Sequence, residues 1–282
     1  MCGDGANDLM AIRQSDVGMG INDSDASYGA TFTIQNMLDV DEIIRDSKAT
    51  TTNVVEMIRY YEFISFLKIP ASLLLILDTS YFNQGMLLFF NFTSTLIYPI
   101  FQAVSKPSKT VTRARPDGNL FGPVNHIRFW GSLIIATLGL IAGYFYFTST
   151  STFKPNSRPS AINGWNPATY SATCMFLLVL PPFAMYSIFF YVGAPWKQKL
   201  YRNYTFFILI ILNLCSTVVM HYITKFSTKQ LGTLPIPNEV VSIIFLISLA
   251  ACTLGYIYNY AITEILSGCG SEEDKKYSTV SN

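Results

Sequence analysis

Charge is scarce in this chain: 13% of its 282 residues are Asp, Glu, Lys or Arg, and 18 acids nearly cancel 19 bases to leave a net +1. So even a balance, with no basic block and no basic stripe interleaved with aromatics, argues against a nucleic-acid partner. Histidine occurs twice and cysteine five times. Cys174, Cys215 and Cys252 fall inside apolar stretches, Cys2 and Cys269 lie near opposite ends, and no C-x-x-C pair exists. The sequence therefore indicates neither a disulfide framework nor a zinc site. The first long apolar stretch begins near residue 60 behind a polar segment, so no signal peptide is expected.

What the chain has in quantity is apolar surface. Half its residues are hydrophobic, 15% are aromatic, and the mean hydropathy is +0.33, a balance that favours a polytopic membrane protein. Six apolar spans are expected at about 60–78, 85–104, 129–149, 170–192, 203–223 and 240–262, each near the ~20 residues that cross ~30 Å of hydrocarbon. From Asp39 to Arg59 the spacing of Val40, Ile43, Ile44, Val54, Val55 and Ile58 fits a helix uninterrupted by proline or glycine, read as a stalk entering the membrane. Residues 1 to 50 alternate short apolar runs with Asp, Asn, Ser and Gly, and Val17–Ile21 reads as a strand ending in a turn. That segment is too short to bury a good core alone. The tail from Ser267 is polar and is expected to be disordered.

Ahead of the spans stands the run Met1-Cys2-Gly3-Asp4-Gly5-Ala6-Asn7-Asp8-Leu9. Gly3 and Gly5 let the backbone approach a ligand closely, and Asp4 and Asp8 supply hard oxygen ligands suited to magnesium. The combination reads as a metal–phosphate corner. By itself a G-D-G triplet is equally an Asx–Gly turn.

Lys68 is the anomaly within the spans. Glu62 lies six residues before it and Asp78 ten after, about 9 and 15 Å along a helix at ~1.5 Å per residue, so neither is a neighbour on the helix face. An intramembrane charge costs ~2.5 kcal/mol or more and normally faces the bundle interior or water; the alternative is snorkelling to an interface. Pro70 frees the carbonyl of Phe66, and Pro99, ending a stretch with Asn91, Thr93, Ser94, Thr95 and Tyr98, frees that of Thr95. Lys68, Asn91 and Thr95 are the candidate substrate-binding residues, since broken helices at mid-membrane recur in transporters. Close helix packing with one interhelical bond from Asn91 is the other reading.

The run at residues 1–8, with Ser15-Asp16-Val17-Gly18-Met19-Gly20-Ile21, resembles the hinge motif that closes the phosphorylation domain of P-type ATPases. Asp23-Ser24-Asp25-Ala26-Ser27, Val111-Thr112-Arg113-Ala114-Arg115-Pro116, Gly193-Ala194-Pro195-Trp196 and Leu200-Tyr201-Arg202-Asn203 resemble the fifth class of that family, subgroup B, the polyamine and cation pumps. The resemblance implies a mainly α fold. A fragment of an α/β, haloacid-dehalogenase-like phosphorylation domain (1–50) would precede a stalk and six-helix transmembrane domain (51–262) and a cytoplasmic tail (263–282). It implies an ATP-driven translocase working through an aspartyl-phosphate, with Mg2+ and ATP as cofactors. Asp4 and Asp8 would be metal ligands, Asn7 the catalytic amide on a phosphoryl oxygen, and Gly3, Gly5 and Asn7 the phosphate cradle. The family's phosphorylated D-K-T-G motif does not occur in the sequence. The chain is therefore expected to be a carboxy-terminal fragment, inactive alone, whose partners are the missing amino-terminal half, membrane lipid, and a transported cation, polyamine or lipid. Rival readings are a lipid-flipping P-type ATPase, suggested by Lys68 and by Asn91 where cation pumps commonly carry an acid, a truncated non-enzymatic membrane protein, and a phosphatase-like domain fused to an unrelated channel.

Six spans put both termini on one side, and the motif makes that side cytoplasmic; the membrane of an endomembrane or lysosome-like compartment is one expected location. Lys106, Lys109, Arg113, Arg115, Arg128, Lys197, Lys199 and Arg202 then lie inside, against Lys154, Arg158, Lys225 and Lys229 outside, in the sense of the positive-inside rule. Glycosylation acceptors placed in loop 150–168 and at the carboxy terminus should be modified in the loop alone. A modified tail would break the six-span count.

Overall fold

The computed structural model describes residues 1–113, 115–116, 118–155, 169–222 and 231–278, with side chains described outside 213–214, 216–222 and 263–278. Arg158, Lys225 and Lys229, and the side chains of Asn213, Ser216, Thr217 and His221, lie outside the described residues. The chain forms two compact units. One comprises Met1–Thr52, Lys106–Pro116 and Gly193–Gln198, the other Asn53–Ser105, Asp117–Val192 and Lys199–Asn282.

In the first unit β1 (Cys2–Gly3), β2 (Met19–Ile21) and β3 (Phe32–Ile34) pair in parallel in sequence order, with Cys2 opposite Met19 and Met19 opposite Phe32. Parallel neighbours need a crossover. Here α1 (Leu9–Gln14) links β1 to β2, and a 3-10 turn over Asp25–Gly29 links β2 to β3. Ile12, Met19, Ala26 and Ile34 are buried. The strand expected over Val17–Ile21 forms at its second half, and Asn22 turns the chain at φ 56, a conformation that Asn tolerates better than most residues.

α2 runs from Asp39 to Leu77 without a break, so the expected stalk and first span are one helix and Pro70 lies inside it. The Asp39 carboxylate accepts from the backbone N–H groups of Gln35 and Asn36 at 3.1 and 2.9 Å, while Asp41 and Glu42 add negative charge where the helix dipole favours it. Two later segments belong to the same unit. Arg45 donates to the carbonyl of Lys109 at 3.1 Å and Lys48 to that of Thr112; Ser108 N–H donates to Trp196 O at 3.1 Å and Gln198 N–H to Lys106 O at 3.0 Å. A basic loop that the sequence assigns to orientation is thus also tied to the base of α2.

The second unit is helical. α3 (Gln84–Phe90), a π-helical stretch (Asn91–Ile97) and α4 (Tyr98–Ala103) make the second span, followed by α5 (Pro123–Thr148), α6 (Tyr170–Phe189), α7 (Tyr204–Tyr222) and α8 (Asn238–Ser278). Among the described residues five spans are long and apolar enough to cross a membrane: 39–77, 84–103, 123–148, 170–189 and 238–262. The chain is accordingly a mainly α, polytopic integral membrane protein. The remaining expected span, 203–223, is occupied by α7, whose side chains are described only in part. α8 continues to Ser278, through the stretch expected to be disordered. Its sequence places Glu272 four residues before Lys276, a spacing and order that support a helix.

α6 occupies the middle of this unit. Of its apolar window 89% is buried, against 33–39% for the other four spans, so α6 is covered by protein all round while the others keep a lipid-facing side. Tyr186 stacks on Phe63 of α2 with centroids 4.0 Å apart, Phe183 meets Phe90 at 5.3 Å, and Ser248 of α8 donates to the carbonyl of Leu178 at 2.9 Å. Pro182 deprives that same carbonyl of its helical donor. α5 and α8 approach closely where Gly139 faces Ala251, the small-residue contact by which helices associate in lipid. Gly139→Leu should lower stability by ~1–3 kcal/mol through overpacking, read as an earlier thermal unfolding in detergent. Leu138→Val, at a site 58% exposed on the same helix, should change little.

Candidate functional site

The first-unit candidate begins where β1 ends. Asp4 follows the strand at its carboxyl end, the edge at which parallel α/β sheets bind ligands. The chain then turns through a 3-10 stretch at Ala6–Asp8, closed by Asp8 N–H to Gly5 O at 3.0 Å. The Asp8 side chain folds back over Gly3, and the Asn7 amide lies over Gly5; a Cβ at either glycine would collide with them. Both glycines are thus needed for close approach. Gly3 is buried, Asp8 half-buried, Asp4 and Asn7 exposed. No three acidic, His or Cys side chains among the described residues group into a self-sufficient metal cage. Magnesium needs only one or two carboxylates, because it retains waters and completes its octahedron with phosphate oxygens rather than protein ligands.

The second-unit candidate lies across α2 and the π-helical stretch. Lys68 Nζ donates to Asn91 Oδ1 at 3.3 Å and sits 5.9 Å from the centre of the Phe183 ring. Among the described residues Lys68 meets no carboxylate; Asp78, ten residues further on, accepts from Ser80 at 3.3 Å and from Ser171. The carbonyl of Thr95, freed by Pro99, accepts from the Tyr61 hydroxyl at 2.7 Å. Asn91, Thr95 and Lys68 thus fall on two adjoining elements. Residues 91–97 widen into a π-helix, the kind of irregularity that often marks a functional position.

No protein-family model matches the chain. It is similar to "Polyamine-transporting ATPase 13A2" of Mus musculus, 28% identical over 95% of this chain and 23% of that protein. It is also similar to "Cation-transporting ATPase catp-5" of Caenorhabditis elegans, 21% identical over 94% of this chain and 22% of that protein. A third relative is "Vacuolar cation-transporting ATPase YPK9" of Saccharomyces cerevisiae, 26% identical over 84% of this chain and 16% of that protein. The chain is a relative of the P-type ATPases of the 13A type. It spans less than a quarter of the length of the relatives it matches.

This P-type ATPase relative also holds a buried polar network that sequence reasoning missed. Glu56 of α2 is 1% exposed; its carboxylate accepts from Gln102 Nε2 at 2.8 Å and from the backbone N–H of Val192 at 2.6 Å. Ser105 donates to the Gln102 carbonyl at 2.8 Å, and Asn203 Nδ2 donates to Ser105 Oγ and to the carbonyl of Phe101 at 2.9 and 3.1 Å. α2, α4, the end of α6 and the start of α7 are knitted together there. The signal was present: Glu56 stands four residues before Tyr60 and seven before Phe63, on the buried stripe of α2.

The bond from Tyr61 to Thr95 is open to a simple check. Tyr61→Phe leaves the proline-freed carbonyl without its donor and should cost ~0.5–1.5 kcal/mol. Thermal unfolding of the purified chain reads the loss, and Tyr204→Phe, at a ring 71% exposed, should leave the midpoint in place.

Proposed function

We propose that the chain is the carboxy-terminal part of an ATP-driven P-type transporter that moves a cation or polyamine across a membrane. The observation that carries this reading is the corner at Gly3–Asp8: the Asp8 carboxylate and the Asn7 amide folded over two glycines, with Asp4 at the end of a parallel strand, in a chain similar over nearly its whole length to ATPases named for cation and polyamine transport. In the whole enzyme Asp4 and Asp8 would hold Mg2+, and Asn7 would donate its amide to a phosphoryl oxygen. The metal would supply charge neutralisation on the phosphate, which is most of what phosphoryl-transfer sites require. ATP binding and the phosphorylated aspartate belong to segments other than this chain. Both termini would be cytoplasmic, and the name of the yeast relative supports an endomembrane location.

One observation favours a second reading of the cargo. Lys68 is held by an amide and faces an aromatic ring, with no acid beside it among the described residues. Two unit charges 4 Å apart interact by about 4 kcal/mol at an effective dielectric of ~20, so a protonated polyamine amine would be repelled at this point of the path. A cargo with an anionic or zwitterionic group, such as a phospholipid, would be attracted.

Incubated alone with labelled ATP and magnesium, the chain should form no hydroxylamine-sensitive phosphoenzyme; a label would overturn its assignment as part of a site. In a full-length enzyme containing it, polyamine should accelerate dephosphorylation, and Asp4→Asn should abolish phosphoenzyme formation. Stimulation by phospholipid and not by polyamine, lost in Lys68→Met, would replace the cation reading with the lipid one.

A further inference from the structure

A cavity of about 180 Å³ opens between α2 and the first two turns of α5. Its polar lining comes from Arg59 and Glu62, three residues apart on α2, and from Asn125 and His126; Phe66, Phe129 and Trp130 are part of its apolar lining. The three rings form an edge-to-face corner, with centroids 5.8 Å apart for Phe66 and Phe129, 5.5 Å for Phe66 and Trp130, and 5.4 Å for Phe129 and Trp130. Phe66 and Trp130 are 40% and 46% exposed, so the corner is accessible from outside the protein.

We propose that this cavity is a binding site for the head group of a zwitterionic phospholipid, specifically a phosphatidylcholine, held as a resident lipid and not as cargo. The depth fits: Arg59 stands where the apolar part of α2 begins and Trp130 two turns into α5, at the level where head groups and interfacial aromatics meet. The charges fit as well. Arg59 and Glu62 sum to zero while separating plus from minus along one helix face, complementary to a phosphate and an ammonium carried by one molecule. Aromatic walls attract a quaternary ammonium, which offers no hydrogen bond and is held through ring faces. The volume is below the ~300 Å³ of a site that encloses a drug-sized ligand. It suits a head group whose acyl chains remain in the bilayer. Nothing in this assignment depends on which cargo the transporter moves.

The test uses the whole chain reconstituted in nanodiscs containing equal phosphatidylcholine and phosphatidylglycerol, with the lipid retained after detergent extraction counted by native mass spectrometry. Phosphatidylcholine should be retained roughly tenfold over phosphatidylglycerol, the ratio that ~1.4 kcal/mol of preference produces. Glu62→Gln, at an exposed position that folding tolerates, removes the partner of the ammonium and should swing the preference towards phosphatidylglycerol. Trp130→Leu removes a ring face and no charge, and should weaken phosphatidylcholine without admitting phosphatidylglycerol. Equal retention of the two lipids, or a Glu62→Gln chain that selects as before, would mean annular lipid only and would overturn the site. Soluble phosphocholine binding as tightly as the lipid would overturn the bilayer as its source.

Discussion

A backbone carbonyl that loses its helical donor inside a bilayer has no water to turn to, and the second unit is organised around meeting that demand. Pro99 strips Thr95 and Pro182 strips Leu178. In each case a hydroxyl from a different helix arrives, Tyr61 from α2 in the first and Ser248 from α8 in the second. The interruption in one helix thereby fixes the position of its neighbour. Prolines that would weaken an isolated helix become points of attachment between two.

The consequence is clearest at α6, which has no lipid face and carries two consecutive prolines near its middle. A helix apolar all round has no preferred side, so its rotation must be set by directional contacts rather than by hydrophobicity. Those contacts are the Ser248 bond, the Tyr60 hydroxyl on the Phe183 carbonyl at 2.9 Å, and the Tyr186 hydroxyl on the Ser132 carbonyl at 3.0 Å. Three neighbouring helices thus address α6 through hydrogen bonds that only one rotation satisfies. Tyr186 stacked on Phe63 and Phe183 edge-to-face with Phe90 then fill the space between them.

Much of the helical frame was legible in the sequence because long apolar runs have few alternatives in lipid. The helix from Asp39, the proline-freed carbonyl of Thr95 and, among the described residues, the isolation of Lys68 from nearby acids all follow from spacing along a single helix, and the fold agrees with each. The partners do not follow from spacing. That Asn91 would accept from Lys68, and Tyr61 serve Thr95, depends on how two helices are rotated against each other, which residue order alone leaves free. The π-helical widening at Asn91–Ile97 was not legible in the residue order either. In the first unit the glycines at 3 and 5 announced close approach. What they admit, the side chains of Asp8 and Asn7, became visible only once the turn was built.

Glu56 shows why a buried acid is harder to read than an intramembrane lysine. Lys68 stands out against an apolar background, whereas Glu56 lies in a stretch of α2 that already holds Asp46, Lys48, Arg59 and Glu62 and so blends into an ordinary stalk. Its importance comes from burial, and burial requires knowing what covers it. Once Gln102 and the Val192 N–H are seen on its two oxygens, the carboxylate becomes a junction at which α2, α4 and the chain leaving α6 meet. A buried carboxyl group that lost either partner would keep its desolvation cost without the compensating bond, so the two hydrogen bonds hold these three segments against one another. Lys68 and the break at Asn91–Ile97 lie farther along the same α2 and second span. Between Glu56 and Lys68 these helices are joined by the edge-to-face rings of Tyr60 and Tyr98 and by the single Tyr61 hydroxyl bond to Thr95.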